Sequence, residues 1–205
     1  MADVREFRDA LTAWAKGGPD GPARDLAESL GARTAVLLEG LSDLAAVEAL
    51  AAGRGRDLAA EGVVAVPMGG AMSVGRYARL LGRPGLGLRV TGLCDEREQG
   101  FYERGLTRVQ APPEDVHVCA ADLEDELIRA LGTAGVEEIL HAEGDFRAWR
   151  TFQRQPAQRG RELGQLLRRF LGTKKGRKIR YGRLLVEALP PDRTPPPLDG
   201  LLAGL

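Results

Sequence analysis

The sequence contains no asparagine, only four lysines beside 25 arginines, two cysteines and two histidines. The arginine preference, with asparagine absent, is what a GC-rich genome produces, so it is not read as functional. Cys94 and Cys119 both lie in apolar runs and leave no disulfide framework. No Cys/His pair has the spacing of a zinc site, and His117 and His141 have no evident catalytic partner. The nucleotide fingerprints G-x-G-x-x-G and G-x-x-x-x-G-K-[ST] are both missing, which excludes a P-loop ATPase; Gly69-Gly70 is at most half a phosphate loop. No run approaches the ~20 apolar residues of a membrane span. The opening Met1-Ala2-Asp3-Val4-Arg5-Glu6 lacks the basic and apolar regions of a secretory leader. A cytoplasmic protein with no membrane partner is expected.

What is present is ordinary in bulk and uneven in detail. The 205 residues are 43% hydrophobic and 28% charged, enough for one good-sized domain with an appendage. The net charge is zero, yet Arg147 to Arg183 holds thirteen basic residues and one acid, Glu162. Self-repulsion on that scale suits a polyanionic partner. Arg168, Arg169, Lys174, Lys175, Arg177, Lys178 and Arg180 are the candidate nucleic-acid contacts. Trp149, Phe152, Phe170 and Tyr181, interleaved with them, read as core.

The order of elements predicts an α/β fold. Residues 3–16 and 22–31 are expected as helices, parted by Gly17-Gly18-Pro19-Asp20-Gly21. Strands are expected at 35–39, 63–67, 87–94 and 116–119, with helices at 42–53, about 72–81 and 122–131. A loop containing Pro112-Pro113 precedes the fourth strand. The strands are continuous apolar runs, as in a parallel sheet covered on both faces. Beyond residue 134 the chain is helical and basic, with candidates at 136–143, 145–154, 160–171 and 177–189, then a proline-rich tail at 190–197 that cannot continue a helix. The division is an N-terminal helical segment (1–34), an α/β domain (35–134) and a basic helical extension (135–205).

Two apolar runs end in acid. Ala35-Val36-Leu37-Leu38 delivers Glu39, with Asp43 one helical turn later; the run ending Gly92-Leu93-Cys94 delivers Asp95, with Glu96 and Glu98 behind it. Ligands bind at strand tips in open α/β sheets, and carboxylates gathered there call for a cation. Glu39, Asp43, Asp95, Glu98, Asp122 and Glu124 are therefore the candidate ligands of magnesium or manganese. Asp43 also suits a helix N-terminus without any metal. So do most acids of Asp122-Leu123-Glu124-Asp125-Glu126, of which Glu124 is the best placed to face the strand edge. Glu96 and Arg97 read as a solvated loop.

Glu39-Gly40-x-Ser42-Asp43, followed by an aspartate closing a later apolar strand, resembles the Toprim domain of primases, topoisomerases and OLD-family nucleases. The resemblance covers roughly residues 34–134. Val66-Pro67-Met68-Gly69-Gly70, Gly92-Leu93-Cys94-Asp95 and Ala121-Asp122-Leu123-Glu124-Asp125-Glu126-Leu127 look most like the OLD branch (OLD stands for overcoming lysogenization defect), and Gly176-Arg177-Lys178 looks like the start of its helical extension. It implies a mainly parallel four-stranded sheet flanked by helices, and an endonuclease using two Mg²⁺ or Mn²⁺ ions on DNA. Glu39, Asp43, Asp95, Glu124 and Lys178 match the catalytic positions. The second acid of the family's D-x-D pair is Arg97 here, leaving Glu98 to replace it. Relatives usually carry an ABC-type ATPase domain ahead of Toprim; with only about 34 residues ahead of it here, ATP control would come from a separate chain. A one-metal or non-catalytic module that binds nucleic acid beside such an ATPase is the alternative, and a nucleotidyl- or phosphotransferase is a third reading. A homo-oligomer is compatible with all three.

Overall fold

The computed structural model describes residues 3–112 and 115–205. Met1, Ala2, Pro113 and Glu114 lie outside them, and with them part of the leader and Pro112-Pro113 readings. The four apolar runs form strands β1 (Thr34–Leu38), β2 (Val63–Pro67), β3 (Arg89–Asp95) and β4 (Val116–Cys119). They pair in parallel in the order β2-β1-β3-β4. Because side chains alternate across a strand, each continuous run feeds two cores. Val36, Leu38, Val63, Ala65 and Leu93 point into one, and Ala35, Leu37, Val64, Val66 and Cys94 into the other.

Helices α1 (Val4–Ala15), α2 (Gly21–Ser29), α4 (Val74–Leu81) and α5 (Gln99–Thr107) cover the second face through Phe7, Leu11, Ala27, Tyr77 and Tyr102. The first face is covered by α3 (Leu41–Gly53), α6 (Leu123–Ala142), α7 (Phe146–Gln153), α8 (Leu163–Leu171), α9 (Lys175–Glu187) and α10 (Pro196–Ala203). The basic C-terminal segment thus packs against α3 and α6, in the core they share with the sheet. Its aromatic residues Trp149, Phe152, Phe170 and Tyr181 are buried, as expected of core.

Three local outcomes differ from the sequence expectation. Helix α5 occupies a stretch expected as loop; its apolar positions Tyr102, Gly105 and Leu106 face the core, but the acids and glycine before it mask the pattern. The helices expected at 122–131 and 136–143 run together as α6 and meet at a break where Gly132 has φ 75° and ψ 155°. Within the proline-rich stretch a further helix, α10, begins at Pro196. Its prolines sit in the first turn, where no intrahelical N–H is required, and Leu198, Leu201 and Leu202 are buried.

Two features of this arrangement position the chemistry. The chain leaves central β1 for β2 on one side and later takes up β3 on the other, so the crevice at the tips of β1 and β3 is a topological switch point. On the first face, α9 packs directly against the start of α3. A Cβ at Gly182 would lie 2.6 Å from the Ser42 carbonyl oxygen, a separation no larger side chain tolerates. Glycine there lets α9 ride on the turn that carries Asp43, with Lys178 one helical turn before the contact.

Candidate metal centre

β1 ends at Leu38, and the next residue, Glu39, emerges at the switch point. Its backbone is pinned, since the Gly69 and Gly70 N–H groups both donate to the Glu39 carbonyl oxygen at 2.9 and 3.0 Å. Asp95 closes β3, and a single 3₁₀ turn, Glu96–Glu98, returns Glu98 toward the same crevice. Glu39, Asp95 and Glu98 each place a carboxylate oxygen within 4.8 Å of the others. The sequence expectation that Glu39 and Asp95 converge is therefore met in space. Glu98 stands where Arg97 does not: Arg97 is exposed and Glu98 is half-buried.

The electrostatics of the cluster suit a cation. Burial, and then the negative charges of Asp122, Asp43, Glu39 and Glu98, push the Asp95 carboxyl up to about 8. Burial and the adjacent Glu39 push Glu98 up to about 7. The Glu98 Oε2 atom is buried and has no hydrogen-bond partner. A buried carboxylate oxygen without a donor is costly, and a hard divalent ion, which takes oxygen ligands, satisfies all three acids at once. The donor set, oxygen only, fits Mg²⁺ or Mn²⁺.

The other candidate acids surround this triad without joining it. Asp43 reaches back from the first turn of α3 to accept the Gly40 N–H at 2.8 Å, the helix-start role that an acid takes there without metal. Burial raises its pKa, against the pull of that N–H and of Lys178. Asp122 caps α6: one oxygen accepts the Asp125 N–H at 2.8 Å and the other accepts the Arg168 Nε–H. Glu124, one residue into α6, is buried and pairs with Lys178 Nζ at 3.2 Å. Burial pushes Glu124 up to about 7, although Lys178 opposes the shift. Burial alone would lower the Lys178 pKa, but Glu124 and Asp43 outweigh it and raise it. Sequence reasoning placed Glu126 among the acids of a helix start. It is buried, accepts the Ala120 N–H at 2.8 Å and pairs with Arg129, so its role is to hold the β4 tip.

These shifts fix a pH dependence. In the unfolded chain the carboxyls ionise at about pH 4. With Glu98 and Glu124 near 7 and Asp95 near 8 in the folded protein, the folded state binds more protons than the unfolded state across neutral pH. Stability of the metal-free protein therefore falls as pH rises through the folded values. In EDTA, the melting temperature is expected to drop between pH 6.5 and 8.5. Millimolar Mn²⁺ is expected to raise it more at pH 8.5, where no protons compete. A metal-free melting temperature that climbs over this window would contradict the crowded cluster.

The basic candidates separate into three groups. Arg168, Arg169 and Lys178, joined by Arg161 and Gln165, line a cleft of about 600 Å³ whose floor includes Asp122 and Glu124. Lys174 and Lys175 are exposed at the start of α9. Arg177 corrects the sequence expectation: it is 9% exposed, stacks over Phe170 at 4.0 Å, donates to Thr173 and pairs with Asp145. A guanidinium committed inside in this way is not offered to a phosphate. Arg180 is exposed but pairs with Asp145 and Glu143. Arg161 was hidden in the sequence because only its place opposite Lys178 distinguishes it from its neighbours.

Among the described residues no helix is long and apolar enough to cross a membrane. Residues 30–96 match the family model for the "Overcoming lysogenization defect protein-like, TOPRIM domain". The fold is similar to the C-terminal region of the Burkholderia pseudomallei OLD protein, with a TM-score of 0.62 and 19% identity over 84% of this chain and 96% of that one. It is also similar to the C-terminal region of the Xanthomonas campestris pv. campestris OLD protein. The iodine-phased structure gives a TM-score of 0.59 at 20% identity over 84% and 93% of the two chains. The platinum-phased one gives 0.58 at 21% over 86% and 93%. No curated protein sequence matches.

Proposed function

We propose, from the premise that this chain carries an OLD-like Toprim domain, that it is a divalent-metal-dependent nuclease acting on DNA. The observation that carries the reading is the convergence of Glu39, Asp95 and Glu98 at the switch point, with a buried Glu98 oxygen that has no donor. Those three residues would hold Mg²⁺ or Mn²⁺, and Asp43 and Glu124 lie on the α3 and α6 side for a second ion. Bound there, the metal would supply Lewis-acid polarisation of a phosphodiester and a water of lowered pKa.

The chain's own groups do the rest. Arg161, Arg168 and Arg169 line the cleft beside the acids and attract the sugar-phosphate backbone without reading sequence. Lys178 lines that cleft beside its ion-pair partner Glu124, so its ammonium would meet the charge that builds on the phosphate. Asp122, held by its cap and by Arg168, fixes the orientation of the cleft wall. A separate ABC-type ATPase chain remains the proposed partner. A one-metal regulatory module is the second reading, favoured by the single three-carboxylate seat among the described residues and by Arg97.

The test is nicking of supercoiled plasmid. The purified protein is expected to relax it with Mg²⁺ or Mn²⁺ and to stop in EDTA. DNA binding that survives EDTA, with no nicking in any divalent ion, would establish the second reading.

A further inference from the structure

Among the described residues, the large apolar side chains that stay exposed are Leu41, Met72 and Phe101. Each follows a strand tip. Leu41 comes two residues after Glu39, Met72 lies in the 3₁₀ turn Ala71–Ser73 that follows β2, and Phe101 sits in the first turn of α5, three residues after Glu98. The core elsewhere is well closed, so their exposure at this one edge needs an account.

Met72, at 87% exposed, and Phe101, at 41%, line one small hollow of about 120 Å³ together with Arg104 and Arg108, and no carboxylate lines it. The Arg104 guanidinium stands 5.1 Å from the centre of the Phe101 ring. The hollow is held rigidly. α5 approaches α4 so closely that a Cβ at Gly105 would lie 2.6 Å from Val74 Cγ1. The turn bearing Met72 is tied to the Glu39 carbonyl through Gly69 and Gly70. Its position matters most. α4 and α5 cover one face of the sheet, whereas the cleft of Arg161, Arg168, Arg169 and Lys178 belongs to helices on the other. The acid triad stands at the tips of β1 and β3, the edge where the two faces meet.

We infer that Met72 and Phe101 form a base-contacting platform, so that the site takes a nucleic-acid strand whose base beside the scissile phosphate is unstacked: single-stranded, end-frayed or otherwise unpaired. The inference rests on the proposed nuclease reading and deepens it. The occupant follows from chemistry. An apolar thioether and an aromatic ring suit the face of a nucleobase, and two arginines in a hollow that no acid lines suit the flanking phosphates. A strand that laid its phosphates in the basic cleft on one face would cross the triad and present its next base to this hollow on the other. In a paired duplex that base is stacked inside the helix and cannot reach the platform.

The test measures binding with Ca²⁺ in place of Mg²⁺, by fluorescence anisotropy, on a labelled single-stranded 20-mer and on the same strand in a blunt duplex. The full chain and the variants Met72→Ser/Phe101→Ala and Phe101→Trp are compared. The double variant is expected to bind the single strand about tenfold more weakly, the effect of one lost base-stacking contact, and the duplex less than about twofold more weakly. Phe101→Trp is expected to retain single-strand binding. Both side chains are exposed, so an unchanged circular dichroism spectrum is expected. A variant that weakens both forms alike, or neither, overturns the inference and leaves the nuclease reading standing. Loss of a dimer in sedimentation, with strand binding intact, would assign the platform to a second copy of this chain and also overturn it. Full-length wild-type protein that binds neither form would overturn both.

Discussion

Glu39→Gln is expected to lower metal-dependent plasmid nicking by at least about 100-fold. Even an outer partner of a metal ligand is worth about 10–100-fold in affinity or activity, and Glu39 belongs to the triad itself. The substitution keeps the shape of the side chain and removes only its charge. The backbone hydrogen bonds from Gly69 and Gly70 to the Glu39 carbonyl are untouched, so the β1 tip should stay in place. The metal-free variant should melt no lower than the parent, because a carboxylate that repels Asp95 and Glu98 has gone. The stabilisation by Mn²⁺ at pH 8.5 should be lost together with Mn²⁺ binding in isothermal titration. This pairing of an intact fold with an absent metal effect separates a ligand from a structural acid. Nicking at the parental rate would remove Glu39 from the centre, and with it the assignment of this triad as the metal seat.

The second large effect is at Lys178. Its ammonium is the ion-pair partner of buried Glu124. Lys178→Met leaves that carboxylate without its counter-charge, and an unsatisfied buried acceptor costs about 1–3 kcal/mol. Part of this is relieved when Glu124 takes up a proton, which it does at about pH 7 even with the lysine present. The destabilisation should therefore be larger at pH 8.5 than at pH 6.5. Adding Glu124→Gln removes the stranded charge and should recover most of the melting temperature. It should not recover nicking if the ammonium meets the phosphate as proposed. Full recovery of nicking in the double variant would reduce the pair to a packing feature. Urea unfolding at both pH values, beside the plasmid assay, gives both measurements on the same proteins.

Much of this organisation is legible in the sequence for definite physical reasons. Continuous apolar runs announce strands buried on two faces, and an acid directly after such a run has few explanations other than a site at the sheet edge. That logic finds Glu39 and Asp95 although more than fifty residues separate them. Glu124 was legible as an acid near a helix start facing the strand edge and Lys178 as part of a basic stretch, but nothing in their local spacing shows that they meet, and their catalytic roles came only from the resemblance to the OLD family. Arg177 shows where reading by charge fails. Its neighbours Lys174, Lys175 and Lys178 look equivalent in the sequence, but only Arg177 finds Asp145, Thr173 and the Phe170 ring inside the protein. Helix α5 was hidden because the acids that serve the cluster stand at its start. α10 was hidden because its prolines read as an end rather than a beginning. Asp43 carries both readings at once, as it accepts the Gly40 N–H while adding to the field felt by Asp95.

The near-contact of Gly182 with the Ser42 carbonyl makes that crossing a fulcrum. Lys178 lies four residues up the helix, about 6 Å from the pivot along its axis. A tilt of about 10° would swing its end of α9 by about 1 Å, an error that can cost about 100-fold in rate. Anything that leans on the far end of α9 can therefore detune the acid cluster without ever entering it.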